Sequence, residues 1–446
     1  MRVLLVTYHF PPDAEIGSVR PFRLAKDLPE FGIEPWVLTV RPDFTEVPER
    51  GFEPEGVPEG RILRTEVATT HRDVVLDLWR RMSGIESGVG DPTAGAYSSP
   101  RPGGRRSAAR ERILAWLAFP DLRIGWYRPA LRAGEELVAR LSFDLIVSTS
   151  PPIVAHLVAA RLAARHRLPW IMDFRDPWHM DGFVRLKSTL MRMLQHELFR
   201  RTARHASAVV ANTPALLRHL EDRLPAPRAR TVCIPNGFET DMVQGAAASE
   251  FPVDFSVGYL GSMVGQRSSL GFLQGLRLWL DRGADEGRVR VRYVGSGFAE
   301  EERTVLALRL GGVVSFAPRV PRREALELMA QQWVLLLLAN DQPLQVPGKA
   351  YEYLATGRRV LALTERQGAT SDLLRGVPGC EVAESAEEVV EALERLFQDY
   401  VNRVPGRLDR RSFLAENSYE RRAEAFASLF RALTSSREAV AESHAR

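Results

Sequence analysis

Lysine is nearly missing from this chain. Among its 60 lysines and arginines, only Lys26, Lys187 and Lys349 are lysine. Any lysine placed beside chemistry-bearing neighbours therefore stands out. Cysteine is scarcer still: Cys233 and Cys380 lie far apart and fit no metal-ligand spacing. That argues against a zinc module and sets the expectation of a reduced, cytosolic setting. No apolar run approaches the length that spans a bilayer, 333–339 being among the longest. After Arg2 the chain passes straight into 3–8, with no long apolar region and cleavage site, so no signal peptide is expected. D-x-D, H-E-x-x-H and C-x-x-C are all absent, so no metal site is expected. What is present is ordinary for a globular protein: 45% hydrophobic and 26% charged residues over 446 positions, enough for two or three domains. A net charge of +4 suits an acidic ligand or a membrane surface and demands neither.

Read in order, the chain alternates short apolar runs with helical periodicity. Segment 2–8, RVLLVTY, reads as a buried strand. A loop with Pro11-Pro12 and Gly17 follows; Ser18 can cap a helix over 19–31, and Gly32 ends it. Strands are expected at 33–40 and 62–67. From 82 to 110 the chain turns rich in Gly, Ser, Pro and Arg and reads as a mobile insertion. Strands resume at 144–149, 170–174, 208–211 and 231–234, with helices from Pro151-Pro152 toward His166 and over 183–205. After a linker at 245–252, a second series places strands at 256–260, 289–294, 313–316, 333–338, 360–363 and 381–382. Helices fall between them, and a long final helix is expected over 410–433. This order predicts an α/β fold: two doubly wound parallel-sheet domains facing a central cleft.

The stretch 346–363, VPGKAYEYLATGRRVLAL, carries the most chemistry. It reads as loop, short helix, strand. Pro347 and Gly348 introduce a helix start whose free N–H groups suit phosphate. Lys349 lies in the first turn, and Glu352 follows on the same face. A cation and a carboxylate together suit a ligand with phosphate and hydroxyl groups, such as a nucleotide sugar. An ordinary surface ion pair would look the same. Three other places could bind: the loop at Gly17-Ser18, the loop 258–267 (GYLGSMVGQR) with Gly261, Ser262 and Arg267, and the strand end 173–179 (DFRDPWH). In the last, Asp173, Arg175 and Asp176 are candidate catalytic residues, although Asp173 and Arg175 could pair structurally and Asp176 could cap a helix.

Segment 349–357, KAYEYLATG, resembles the K-x-x-E-Y-L-A-x-G segment of GT-B glycosyltransferases of family GT4. Segment 8–28, YHFPPDAEIGSVRPFRLAKDL, is similar to one branch of that family. The resemblance implies two Rossmann-like domains. Residues 1–245 would bind the acceptor and 253–405 the nucleotide sugar. Residues 406–434 would form a helix crossing back to the first domain, leaving 435–446 as a frayed tail. It implies a hexosyltransferase-type enzyme that moves a sugar from a nucleotide diphosphate sugar, with retention, without metal and with no cofactor. The acceptor would be a polysaccharide or lipid-linked precursor. Glu352 would hold the ribose hydroxyls and Lys349 the phosphates, with Tyr351 between them in the donor site. Gly17 and Ser18 stand where the family carries Gly-Gly. Where the family often has an arginine directly after the glycine, this chain has Gly261-Ser262, so the backbone donors there and Arg267, read from the residues alone, would grip the diphosphate; Arg319 and Val320, in FAPRV, would lie along the nucleobase. The family's first glutamate, which touches the donor sugar, is replaced by Leu344; Asp341 and Gln345 are its candidate substitutes. Two rival readings follow: a GT-B-fold sugar-nucleotide epimerase, and a nucleotide-sugar-binding homologue with impaired turnover. The helix over 183–205 is basic, and its apolar stripe is expected to pack on the sheet while its arginines make weak contact with an anionic membrane. No nucleic-acid partner is expected.

Overall fold

The computed structural model describes residues 1–45, 52–82, 113, 116–178, 189–224, 230–240, 252–263 and 267–445, without the side chains of 78–82 and 436–445. Nearly all of the insertion expected at 82–110 lies outside these residues, as do His179 and most of the expected linker. The chain forms two compact units: Met1–Pro235 with Tyr419–Arg446, and Asn236–Ser418.

The first unit holds a sheet of seven strands: β1 (Arg2–Val6), β2 (Glu34–Val40), β3 (Ile62–Thr65), β4 (Leu145–Ser150), β5 (Trp170–Phe174), β6 (Ala208–Ala211) and β7 (Arg230–Cys233). Their order is β3-β2-β1-β4-β5-β6-β7, and every pair is parallel. The second unit holds six: β8 (Phe255–Ser262), β9 (Val289–Ser296), β10 (Val314–Pro318), β11 (Val334–Leu338), β12 (Arg359–Leu363) and β13 (Cys380–Ala383). Their order is β10-β9-β8-β11-β12-β13, again all parallel. Strands such as β11, VLLLL, are buried along their whole length, as helices on both faces of a parallel sheet require. The strand order reverses between β1 and β4 in one sheet and between β8 and β11 in the other. The loops leaving the carboxyl ends of those strands are where an open α/β sheet binds ligands.

Three local expectations need correction. The helix expected over 19–31 is α-helical only over Val19–Asp27; Pro29, which has no N–H to continue the ladder, sits in a 3-10 turn, Leu28–Phe31, closed by Gly32 at φ 70°. Ser18 does not cap that helix. It ends a 3-10 turn of its own, Ile16–Ser18, with helical backbone angles that keep its hydroxyl from the helix N–H groups. The final helix is two helices, Arg411–Glu416 and Tyr419–Ala445, and it continues past Ser435. Between them the backbone pairs with another segment: Phe238 donates its N–H to the Asn417 carbonyl at 3.2 Å and bridges to Ser418.

Helix Tyr419–Ala445 belongs to the first unit. Ala423, Phe426, Ala427, Leu429 and Phe430 join the core beneath helix Val19–Asp27. Arg23 donates to Glu420 at 2.7 Å, and the Arg20 guanidinium lies 5.2 Å from the centre of the Phe426 ring.

Candidate active site

In the second unit, the switch between β8 and β11 gathers four of the expected residues. Lys349 opens the helix Lys349–Ala355 and reaches back to β8, where its ammonium donates to the Leu260 carbonyl at 3.0 Å. It also lies 3.8 Å from the centre of the Tyr259 ring. Gly261 makes room for it. This glycine sits at φ +136°, and a Cβ there would come within 2.9 Å of the Lys349 nitrogen. Ser262 Oγ bonds Ser296 Oγ at 3.0 Å, and the Met263 N–H bonds the Ser296 carbonyl at 2.8 Å, so the loops after β8 and β9 are tied together. Arg267 bonds the Tyr259 side chain. Desolvation pushes the Lys349 pKa well below its ordinary value; the Arg267 charge adds to this, and Glu352 opposes it. Among the described residues, no carboxylate forms an ion pair with the ammonium, which suits it to an incoming anion.

Glu352 lies one turn on, and it is already engaged. Arg322 Nη2 donates to Glu352 at 2.6 Å and to Glu239 at 2.9 Å. The three side chains are only 25%, 14% and 10% exposed, for Arg322, Glu352 and Glu239 respectively. Arg319 is exposed and Val320 half-buried, and both precede Arg322 after the end of β10. Tyr351 is not part of this group. Two residues after Lys349, it faces the other side of the helix, where it is buried and stacks on Phe413 with ring centres 6.4 Å apart. The loop holding Leu344, Asp341 and Gln345 receives a carboxylate from the next strand end: Glu365 accepts the Asp341 N–H.

In the first unit, the loop after β1 meets the end of β5. A Cβ on Gly17 would fall 2.3 Å from Arg175 Nη1, so glycine is what lets the guanidinium lie there. Arg175 is buried and donates through Nε to the Ser150 carbonyl at 3.1 Å, and through Nη2 to the Pro151 carbonyl. Burial lowers its pKa, while Asp176 and Asp173 oppose that. Asp173 is gripped by Arg20 at both oxygens, at 2.7 and 2.9 Å, and Arg20 also donates to the Pro235 and Ile234 carbonyls. These contacts make Asp173 a brace between strand ends and leave Asp176, half-buried, as the more accessible carboxylate. Ser18, Thr149 and Asn212 each hold a buried polar atom with no hydrogen-bond partner among the described residues.

Sequence reasoning missed several groups. Arg322 and Glu239 are the plainest, because positions 239, 322 and 352 are remote in sequence and only the fold brings them together. His9, whose Nδ1 lies 2.7 Å from the fully buried Asp13 carboxylate, was visible within YHFPPD but unassigned. His156 sits wholly buried between Ser148 Oγ at 2.7 Å and Ser150 Oγ at 2.8 Å, with its pKa pushed down to about 3 by burial and Arg175. The helix expected at 183–205 is described over Thr189–Ala203. There Met191, Gln195 and Phe199 face the core, with Gln195 held by Trp178 and the Pro120 carbonyl. That register leaves Leu190, Met193 and Leu194 exposed, so the expected stripe is only partly internal.

Comparison with known proteins now bears on this geometry. Residues 96–242 match the family model described as Glycosyltransferase Family 4, and 268–428 match the one described as Glycosyl transferase-like. The two family models between them cover most of the chain, which is similar to GT4 glycosyltransferases. No curated protein matches it in sequence. Among solved structures, sucrose-phosphate synthase from Thermosynechococcus elongatus is similar at TM-score 0.64 and 15% identity, over 98% of this chain and 100% of that one. Trehalose 6-phosphate synthase from Burkholderia multivorans is similar at TM-score 0.65 and 14% identity, over 98% of each chain. Anabaena HepE in complex with UDP and glucose is similar at TM-score 0.53 and 15% identity, over 99% of this chain and 100% of that one. These likenesses bear out the GT-B fold expected from the sequence. Among the described residues, no helix is long and apolar enough to cross a membrane.

Proposed function

We propose that the second unit binds a nucleoside diphosphate sugar and that the first binds the acceptor to which the sugar moves. The observation that carries this reading is the placement of Lys349: a partly desolvated amine of depressed pKa, seated under a glycine loop, with Glu352 one turn away. A diphosphate arriving there favours the charged ammonium and is stabilised by it, with Arg267 beside it. The same pair offsets the negative charge that develops on the leaving nucleotide. Glu352 accepts hydrogen bonds from the ribose hydroxyls, and Arg319 and Val320 flank the base. HepE has also been crystallised with UDP-glucose, which supports a uridine nucleotide as the first donor to try. Gly17 and Ser18 are proposed donor-phosphate ligands, and Arg175 and Asp176 the reacting groups.

The test is calorimetry with UDP, GDP, ADP and CDP. Glu352→Ala is expected to weaken the nucleotide that binds by about 1–3 kcal/mol, as for a lost charge-assisted hydrogen bond. Unchanged affinity in a folded variant removes Glu352 from the ribose. Turnover of the matching nucleotide sugars separates the rivals: a transferase releases nucleotide faster with acceptor, whereas an epimerase converts donor without one.

The acceptor is proposed to be lipid-linked. The surface of helix Thr189–Ala203 favours this, because exposed Leu190, Met193 and Leu194 share it with exposed Arg192, Arg200 and Arg201. Apolar side chains ringed by arginine suit a peripheral seat on an anionic leaflet.

A further inference from the structure

A carboxylate that accepts two ribose hydroxyls must be held in one orientation while keeping lone pairs available. In this chain one nitrogen does the holding. Arg322 Nη2 is 2.6 Å from Glu352 Oε1 and 2.9 Å from Glu239 Oε1, and all three side chains are largely shielded from water. Two carboxylates share one guanidinium, so the group keeps a net negative charge and Glu352 is not fully neutralised. Among the described residues, Arg322 bonds Glu352 at Oε1, which leaves Oε2 for a ligand. Arg322 opens the helix Arg322–Gln331, four residues after β10 ends, so the strand end proposed to flank the base also fixes the carboxylate proposed to hold the sugar. Glu239 anchors the same guanidinium nitrogen. It lies next to Phe238, whose backbone is pinned to Asn417 and Ser418.

We infer that Arg322, held by Glu239, is a positioning residue for ribose recognition: it orients Glu352 without itself touching the nucleotide. The inference rests on the reading of Glu352 given above. It separates Arg322 from Lys349 and Arg267, which act on the phosphates. It also means that the chain's preference for ribonucleotides over deoxyribonucleotides depends on a residue outside the 349–357 segment.

The experiment is a chemical cycle. Of UDP, GDP, ADP and CDP, the one that binds the unchanged full chain most tightly is compared with its 2′,3′-dideoxy analogue by calorimetry. Arg322→Ala is expected to weaken the ribonucleotide about tenfold, the loss of one well-oriented hydrogen bond, and to leave the dideoxy analogue's affinity within about twofold of the unchanged chain. Glu239→Gln is expected to act in the same direction by a smaller factor. Retained affinity for the dideoxy analogue shows at once that the variant is folded. Equal weakening of both nucleotides means that Arg322 acts on the phosphates or on the fold, and overturns the inference. No weakening of either also overturns it. Glu352→Ala is run alongside: if it leaves ribonucleotide binding unchanged, or if none of the four nucleotides binds, the reading of the site itself has failed.

Discussion

Lys349 stacks its ammonium on Tyr259, 3.8 Å from the ring centre, and bonds the Leu260 carbonyl rather than a carboxylate. The pairing is a cation–π contact made with a partly desolvated charge, strong enough to hold the amine in place and weak enough to be outbid by a phosphate. The folded pKa lies well below the ordinary lysine value. Between the two values the unfolded chain binds more protons than the folded one, so the stability of the ligand-free protein rises with pH through that window.

Lys349→Met should therefore flatten this rise in alkaline melts and leave the ligand-free protein no less stable. The same variant should lose about 1.5–3 kcal/mol of nucleoside diphosphate affinity, as for a hydrogen bond to a charged group. In the unchanged chain, diphosphate binding in the window between the folded and the ordinary lysine pKa should take up protons, read as a buffer-dependent calorimetric enthalpy. A buffer-independent enthalpy counts against a phosphate on Lys349.

His156 gives the opposite test, of a histidine that does no proton transfer. With a folded pKa near 3, against 6.5 unfolded, it stays neutral through physiological pH. Stability should fall as pH drops from about 6.5 toward 3, because the unfolded chain gains a proton that the folded one refuses. His156→Phe should lessen that acid sensitivity while costing about 1–3 kcal/mol, since Ser148 and Ser150 lose their shared partner. A ring that titrates near pH 6.5 by NMR refutes the assignment.

Gly17→Ala tests the first unit. The added methyl would collide with a guanidinium tethered to the Ser150 and Pro151 carbonyls, so Arg175 has to leave its seat. A cost of about 1–3 kcal/mol in stability is expected, as for other overpacked sites, with a fall in kcat. Wild-type turnover in this variant would remove Arg175 from the chemistry.

Metal dependence is settled by chelation. The sequence lacks a D-x-D triplet, and Lys349 and Arg267 are placed to offset the leaving charge, so turnover should survive EDTA. Loss that magnesium or manganese restores refutes this.

The surface of helix Thr189–Ala203 predicts retention on liposomes containing anionic lipid at low salt, release at high salt, and little retention on neutral liposomes. Leu194→Glu should weaken retention without altering the melt, because that side chain is 40% exposed. Equal binding to both lipids, or none, withdraws the membrane reading.

Much of this was legible in the sequence for a simple reason: parallel strands buried on both faces announce themselves as runs such as VLLLL and RVLAL. Lys349 and Glu352 were legible because three residues of helix put them on one face. The same rule placed Tyr351 on the other face, yet its tyrosine invited a site role that packing against Phe413 explains better. Ser18 looked like a cap because capping depends on backbone angles that composition does not show. The register of helix Thr189–Ala203 was set by Gln195, a polar core residue bonded to Trp178 and Pro120, which no hydrophobic pattern reveals. The Arg322 bridge joins three distant positions and had no local signature at all.

Helix Tyr419–Ala445 completes the first unit, but it follows the whole of the second in sequence. During synthesis the first unit's sheet can form while the apolar surface that Phe426, Ala427 and Phe430 will cover stays open. At ~5–20 residues per second, the roughly 200 residues still to come take on the order of 10–40 s. A nascent chain with an uncovered core for that long is a natural client for a holding chaperone. Stalled or truncated products lacking 419–445 should be the aggregation-prone species of this protein.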